Sequence, residues 1–477
     1  MPSTKKTNTG LISDQNLNEL ATEEALNSTY SDSCVINSQE SSSIETSHLK
    51  TKQKKLNCLF SLKELFDRIG FGLTAHQFIN IFFFMIGGST FLVGVINGLK
   101  EALSLMFSSF LRFYTNVRKV SLKIIVISGL IFGFSFLFMG LAIKSKNLPL
   151  FSVALLISGL GIVTYGELYS CLLKQSLKPE KRSFFLKNIT HYGLLITSLF
   201  FILSGFILDK FGMTEKVFSF NFFNYFISLP LTGYLIIFEF TAFALILSAH
   251  MLFKISSPDI NKTKPCACVL NLYFYKMKNH MGLFVKDKRL LCILLSGVLV
   301  ATIQTLGNSY YGYFLFSKFK NLYFGSFTNI ALIFVFAMLC SLISQKFIVY
   351  LKNKVGVTPL FVFGALLFTL MPLTLVFNQY IYAILVANAL AIIGLSMISI
   401  SQNEMLTKLM NNNDENAGIH LFGLFSLIPY LILVPLGAIF AQFYGLMALF
   451  KLMVLVLLLL IVPLNFVLVL FAEKQKL

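Results

Sequence analysis

Two acidic residues and one histidine interrupt long apolar stretches of the chain. Glu167 lies in TYGELYS, Glu239 lies in IIFEFTAF, and His191 stands early in the apolar stretch that follows Glu167. An ionisable side chain within a bilayer is costly and by default indicates function. Glu167 and His191 are expected at similar depth, where the carboxylate could carry a coupling proton and the imidazole could tune its pKa. A structural ion pair or hydrogen bond is the alternative. Glu239 could bind a cationic group of a substrate or a coupling proton, or it could hydrogen-bond a backbone carbonyl at a helix contact.

Polar side chains also gather in an apolar segment of the second half. Gln304, Asn308 and Tyr311 follow one another at i, i+4 and i+7, which places them on one face of a helix. That face could form a hydrogen-bonding wall for a polar solute, and Asn388 is a similar candidate in a later segment. The alternative is an aromatic belt at the membrane surface.

His76 and Asn80 form a polar i, i+4 pair near the start of the first apolar segment. Residues at this spacing are neighbours on a helix surface. The pair could face a solute cavity from its inner side. The alternative is that His76 is a packing residue whose hydrogen bonds are satisfied within the core.

Helices that cross a membrane must position these residues. The 477 residues are 56% hydrophobic and only 13% charged, with a mean hydropathy of +0.76. A soluble domain is about a quarter charged, and about 20 apolar residues span a bilayer as a helix. The pattern predicts an all-α membrane protein with twelve transmembrane helices at 71–95, 97–116, 122–143, 148–173, 187–208, 223–253, 289–314, 322–345, 356–377, 379–402, 418–442 and 446–471.

Positive charge is distributed unevenly over this layout. If both termini are cytosolic, 31 of the 39 Lys and Arg fall on the cytosolic side, as the positive-inside rule requires. Lys100 and Glu101 fall near the outer end of the second span, so no Lys or Arg is expected at a span centre. The net charge of +18 therefore indicates an anionic inner leaflet as partner rather than nucleic acid. A cavity with few charges favours a neutral, zwitterionic or amphipathic solute.

The same layout predicts the domain organisation. Residues 1–50 are polar and are expected to form a disordered cytosolic tail. Two six-helix bundles, 51–253 and 289–477, follow on either side of a cytosolic central loop at 254–288. The halves repeat weakly at an offset near 234 residues, and GFILDKFG at 205–212 resembles GAIFAQFYG at 437–445.

Basic clusters follow the second and eighth spans. Arg112, Arg118 and Lys119 form the first cluster, and Lys346 and Lys352 in the second match Arg112 and Arg118 at the repeat offset. With the two related halves, these clusters give the chain a resemblance to the major facilitator superfamily, as a divergent member. The resemblance implies secondary transport by alternating access and a cytosolic gate at these clusters. Gln402 and Glu404, near the repeat position of Glu167, are expected to join that gate.

The resulting expectation is a secondary active transporter of a small solute, for which proton coupling is one option. A non-transporting receptor or scaffold and an intramembrane lipid-modifying enzyme are the alternatives. The sequence has no P-loop, HExxH or GxSxG motif, and its seven cysteines lack zinc or redox spacing. We therefore expect no enzyme activity, no cofactor and no metal. The chain is expected to be a monomer, in the plasma membrane by default, with an internal membrane left open.

Overall fold

The computed structural model describes most of the chain. The described residues are 38–117, 121–177, 179–212, 216–222, 225–255, 288–320, 322–409, 427–464 and 466–467. Arg118, Lys119 and most of the predicted central loop lie outside them. Met1–Cys58 forms one unit, whose described residues are helical from Ser38, within the predicted tail; Leu59–Leu477 forms the other, which contains the features below.

The described elements are almost all helical. The helices are α1 Ser38–Leu73, α2 His76–Met85, α3 Thr90–Val117, α4 Leu122–Lys144, α5 Leu148–Ser176, α6 Pro179–Phe211, α7 Gly233–Phe253, α8 Lys288–Lys318, α9 Ser326–Val355, α10 Val357–Phe377, α11 Ile381–Leu409, α12 Leu427–Tyr444 and α13 Leu446–Val456. A π-helical turn, Leu457–Ile461, continues α13. Ten described helical segments are long and apolar enough to cross a membrane, and Pro429–Tyr444 is a shorter apolar helix.

The start of the predicted helical layout is wrong. The structure places a turn at 86–89, inside the predicted first span, and α3 begins at Thr90. Gly87 has a φ of +103°, a conformation that favours glycine, so the Gly87–Gly88 pair permits this turn within an apolar stretch. The apolar run that leads to the turn is α2, which follows the C-terminal part of α1 after a break at Thr74–Ala75. Hydropathy alone had merged α2 with the start of α3.

A two-stranded hairpin replaces the beginning of the predicted sixth span. Strand β1, Lys216–Phe222, pairs with β2, Tyr225–Leu231, in antiparallel register from Lys216↔Leu231 to Phe222↔Tyr225. The helix of this span, α7, begins only at Gly233. We call the side of the bundle that carries this hairpin the hairpin end. The opposite side, where Arg112, Lys174 and Lys352 lie near helix C-termini, is the basic end.

Helices from the two predicted halves meet at the hairpin end. The start of α3 packs on α12: an added Cβ on Gly94 would collide with Ala438 and the Tyr310 hydroxyl. A Cβ added to Gly98 of α3 would lie 2.7 Å from the backbone carbonyl oxygen of Tyr430 on α12. The end of α6 packs on the start of α9 in the same manner, and α2 packs on α8. Small residues permit such close helix contact in membranes.

Aromatic side chains fill the core where α2, α6 and α9 converge. The Phe78 ring packs edge-on against Phe201 at 4.9 Å and Phe327 at 5.4 Å between centroids. Large apolar side chains such as Ile127 and Phe243 are instead exposed on the outside of the bundle. An apolar exterior is what contact with lipid requires.

Candidate functional site

A lysine lies at mid-depth in the bundle. Lys100 is ten residues into α3, which places it about 15 Å along the axis from the hairpin end, near the middle of a hydrocarbon layer about 30 Å thick. Its Nζ lies 3.2 Å from Oε1 of Glu101, and its side chain is only 12% exposed. The expectation that no cation sits at a span centre is therefore wrong, because α3 begins earlier than hydropathy indicated.

Lys100 reaches across to the start of α2. Its Nζ lies 3.4 Å from Nδ1 of His76, and Nε2 of the same imidazole lies 3.4 Å from Nδ2 of Asn80. His76 and Asn80 are thus adjacent, as their i, i+4 spacing requires. Both ring nitrogens face hydrogen-bond donors.

Asn80 joins the two predicted halves. Its Nδ2 donates to the backbone carbonyl of Asn308 on α8 at 2.9 Å, and its Oδ1 accepts from Nδ2 of Asn97 on α3 at 2.9 Å. A carbonyl oxygen only accepts, so the Asn308 contact fixes the orientation of the Asn80 amide. The side chain of Asn80 is fully buried.

A cavity of about 350 Å³ opens beside this network. Its walls come from helices α1 to α5. The lining is mostly apolar, and its charged groups are Lys100 and Glu101, with His76 beside them. A volume of this size suits a small organic solute.

A second cavity, of about 450 Å³, lies at the basic end between α3, α5 and α6. Within it Arg112 Nε donates to Glu167 Oε1 at 2.8 Å, and Ser108 Oγ donates to the same oxygen at 2.6 Å. Lys174 and Arg182 also line it. The predicted partner of Glu167, His191, is exposed, and the ion pair of Glu167 is made with Arg112.

The second predicted half carries an equivalent ion pair. Lys352 on α9 lies 2.9 Å from Glu404 on α11, and Lys408 lies 2.9 Å from the other oxygen of that carboxylate. Arg112 and Glu167 join the corresponding helices of the first predicted half. Gln402 is buried, and its Nε2 has no hydrogen-bond partner among the described residues, whereas Lys346 is exposed.

The helix before the first apolar stretch contributes a buried charged cluster that the hydropathy pattern did not predict. Lys63 Nζ lies 2.6 Å from Asp67 Oδ2, with side chains only 3% and 5% exposed. Ser248 on α7 hydrogen-bonds to Asp67, and Nζ of Lys63 lies 3.3 Å from the ring centroid of Tyr169. The opposite charges at i, i+4 in KELFDR were the available signal, but hydropathy assigns such a segment to the outside.

Glu239 and Tyr311 do not line either cavity. Glu239 is exposed on the outer surface, beside exposed Phe240. Tyr311 is buried against Phe450, with its hydroxyl 3.9 Å from the sulfur of Met453, so it does not extend the wall of Gln304 and Asn308.

Asn388 is buried and donates to the backbone carbonyl of Ile333 at 3.3 Å, which is a contact between α11 and α9. Gln304 and Asn308 are half-buried on α8. Among the described residues, no three His, Cys, Asp or Glu side chains gather in a way that could hold a metal ion.

Comparison with known proteins identifies the fold. No protein-family model and no curated protein matches the chain. Among solved structures, the nucleoside transporter NupG matches with a TM-score of 0.64 and 12% identity, over 87% of this chain and 98% of that one. A mutant of the peptide transporter POT in complex with sulfate gives 0.63 and 12%, over 88% and 94%. A bacterial metal transporter gives 0.57 and 16%, over 88% and 98%.

These matches, with the apolar helices, define the class of protein. The chain is an integral, multi-pass membrane protein. Its fold is that of major facilitator superfamily transporters, as the sequence resemblance implied. At 12–16% identity the matches establish the fold and carry no substrate across to this chain.

Proposed function

We propose that the chain is a secondary active transporter that moves a small solute by alternating access. In this proposal, twelve helices cross the membrane: the ten long segments, α12, and the broken helix made of α2 and the end of α1. They form six-helix halves at 51–253 and 289–477, joined by a cytosolic connector at 254–288. Both termini are cytosolic, which makes the basic end the inner one.

One observation carries the proposal: the halves meet at the hairpin end through equivalent helix pairs. The pairs are α3 with α12 and α6 with α9. In the repeat, α3 corresponds to α9 and α6 corresponds to α12. The pair of α3 with α12 is therefore the counterpart of the pair of α9 with α6, as expected for two halves related by a twofold axis. Two halves joined by such related contacts can rock about a shared centre, which is how alternating access works in duplicated transporters.

The mid-depth network is the proposed solute site. Lys100, Glu101 and His76 line its cavity, and Asn80 ties it to α8. Asn80 is hydrogen-bonded to α8 of the second half. In this proposal, a change in the cavity of the first half, such as solute binding, is therefore transmitted to the contact between the halves. Gln304 and Asn308 are proposed as the facing wall on α8.

Glu167 is the proposed coupling residue. Its carboxylate faces the basic-end cavity and is held by Arg112 and Ser108. A proton on Glu167 would remove its charge and with it the ion pair to Arg112. Lys352 and Glu404 are proposed as the corresponding gate contact of the second half.

Reconstituted full-length protein tests this function. We expect accumulation of at least one solute from a broad panel when a pH gradient is imposed on proteoliposomes. Glu167→Gln should abolish the pH-driven accumulation while solute exchange persists, because the variant cannot release a proton. Lys144→Gln, which removes an exposed charge at the end of α4, should keep both activities. Absence of any flux under either a pH or a solute gradient would refute the transporter proposal, and full pH-driven uptake by Glu167→Gln would refute the coupling role.

A further inference from the structure

The surroundings of His76 are rich in donors and short of acceptors. Lys100 Nζ faces Nδ1, and the amide nitrogen of Asn80 faces Nε2, both at 3.4 Å. The ammonium of a lysine only donates, and the Asn308 carbonyl fixes the Asn80 amide with its nitrogen toward the ring. A neutral imidazole has one lone pair, so it can accept from only one of these two donors, and its N–H must then face the other.

An anionic oxygen in the cavity would remove this conflict. Placed between Lys100 Nζ and His76 Nδ1, it would accept from the ammonium and from an Nδ1–H. Nε2 would then carry the lone pair and accept from Asn80. Hydrogen bonds to a charged acceptor are about twice as strong as neutral ones. The arrangement of these donors is therefore complementary to a carboxylate.

The cavity also has a carboxylate, that of Glu101, directly beside Lys100. Glu101 Oε1 is 3.2 Å from Lys100 Nζ, and the Glu101 side chain is 37% exposed. The hydroxyls on the wall already use their one hydrogen in bonds to backbone carbonyls: Thr74 to Gly70, Ser104 to Gly159 and Ser158 to Leu155. They cannot donate to a solute carboxylate. The ionic part of solute recognition here therefore rests on one cation, one carboxylate and the imidazole.

The remaining wall is apolar. Phe71, Phe132, Phe136, Leu155 and Ile162 line the cavity of about 350 Å³. A solute that fits must bring a positive and a negative group close together, and attach them to an apolar body. An α-amino acid with an apolar side chain has this form, since both of its charged groups are bonded to one carbon.

We propose that this cavity binds a zwitterionic solute of the α-amino acid type with an apolar or aromatic side chain. The solute carboxylate lies between Lys100 and His76, and its ammonium is bound by Glu101. The inference rests on the proposed transport function for its biological meaning, but the binding itself is tested without transport.

The test uses purified full-length protein in detergent and measures the concentration of each probe that raises the thermal unfolding midpoint. The probes are L-phenylalanine, phenethylamine, which lacks the carboxylate, and 3-phenylpropionate, which lacks the ammonium; L-leucine is the aliphatic counterpart. We expect L-phenylalanine to act at concentrations about tenfold or more below those of either analogue, since each analogue loses a charge-assisted contact.

Single variants then separate the two contacts. In Lys100→Gln the preference for L-phenylalanine over phenethylamine should disappear, while Lys100→Arg should retain it. In Glu101→Gln the preference over 3-phenylpropionate should disappear instead. Lys144→Gln should keep both preferences. Because each readout is a ratio of concentrations within one variant, a lower yield or stability of a variant does not obscure it.

The outcomes are decisive in either direction. Stabilisation by neither L-phenylalanine nor L-leucine, or an undiminished preference for the carboxylate in Lys100→Gln, overturns the proposal. Transport of other solutes with no amino acid binding refutes only this inference. Amino acid binding with the expected preferences but without flux of any solute refutes only the transport function.

Discussion

Asp209 and Gln442 cap helices of opposite predicted halves from equivalent positions. Asp209, near the end of α6, accepts from the backbone N–H of Phe327 at 2.9 Å and from the backbone and hydroxyl of Thr328 at 2.7 Å. Gln442, near the end of α12, accepts with Oε1 from the backbone N–H of Phe91 at 3.3 Å. Phe91 and Phe327 are the second residues of α3 and α9. Each predicted half therefore satisfies a helix terminus of the other.

The Asp209 cap should hold the hairpin end closed. Asp209→Ala removes three hydrogen bonds and a negative charge at a helix N-terminus, which should cost the closed form about 1–2 kcal/mol, or about five- to thirtyfold in population. Ala331 on α9 is fully buried near this contact, so an Ala331→Cys reporter measures opening by its rate of maleimide labelling in a background without the native cysteines. We expect Asp209→Ala to raise this rate.

Gln442→Ala is the comparison for this prediction. It removes one longer hydrogen bond and no charge, so its effect on labelling should be smaller. Equal labelling of the parent and of Asp209→Ala would show that the cap does not stabilise closure.

The approach of α3 to α12 should depend on a glycine. A Cβ at Gly98 would lie 2.7 Å from the backbone oxygen of Tyr430 and 3.1 Å from Val434, so Gly98→Ala must separate the helices. Overpacking of this kind costs about 1–3 kcal/mol, and the thermal unfolding midpoint should fall. Gly166→Ala is the matched control, since nothing lies within 4 Å of its added Cβ. An unchanged midpoint for Gly98→Ala would contradict the described helix contact.

The buried pair of Lys63 and Asp67 should behave as a unit. Lys63→Met leaves the Asp67 carboxylate buried without its cation, which should cost about 3–5 kcal/mol. Lys63→Met combined with Asp67→Leu removes both charges and should be less destabilised than Lys63→Met alone. Thermal unfolding of the single and double variants measures the coupling. Additive losses would show that the two side chains do not interact across 2.6 Å as described.

Hydropathy predicted most of the helices because their apolar runs are long and are separated by short breaks. The predicted span 122–143 became α4, Leu122–Lys144, and 356–377 became α10, Val357–Phe377. The first helices were misplaced for a physical reason. Burial of Lys63 with Asp67 hides charges that a hydropathy window counts as solvent-exposed, so most of the C-terminal part of α1 was left outside the first predicted span.

The same boundary error concealed the mid-depth site. Moving the start of α3 to Thr90 brings Lys100 from the membrane surface to its centre. Spacing along one helix correctly placed His76 beside Asn80, but it could not show that Lys100 of the next helix meets the same ring. Tyr311 shows the opposite error. Its spacing placed it on one helical face with Gln304 and Asn308, but spacing could not show that Phe450 of another helix packs against it. Contacts between helices decide what a polar residue does.

A disulfide across the hairpin end tests the alternating-access account most directly. A Cβ on Gly205 of α6 would lie 3.2 Å from the Cβ of Ala331 on α9, close to the spacing of a disulfide. Gly205→Cys with Ala331→Cys, in a background without native cysteines, should cross-link when oxidised. The control pair, Gly129→Cys with Ala249→Cys, joins α4 to α7 within the first half, where the corresponding Cβ distance is 2.9 Å.

The measurement is uptake into proteoliposomes of a solute found in the panel, before and after oxidation. If the halves must separate at the hairpin end, the cross-link between α6 and α9 abolishes uptake, reductant restores it, and the control cross-link leaves it largely intact. Undiminished uptake by protein that is fully cross-linked between Gly205→Cys and Ala331→Cys would contradict the account.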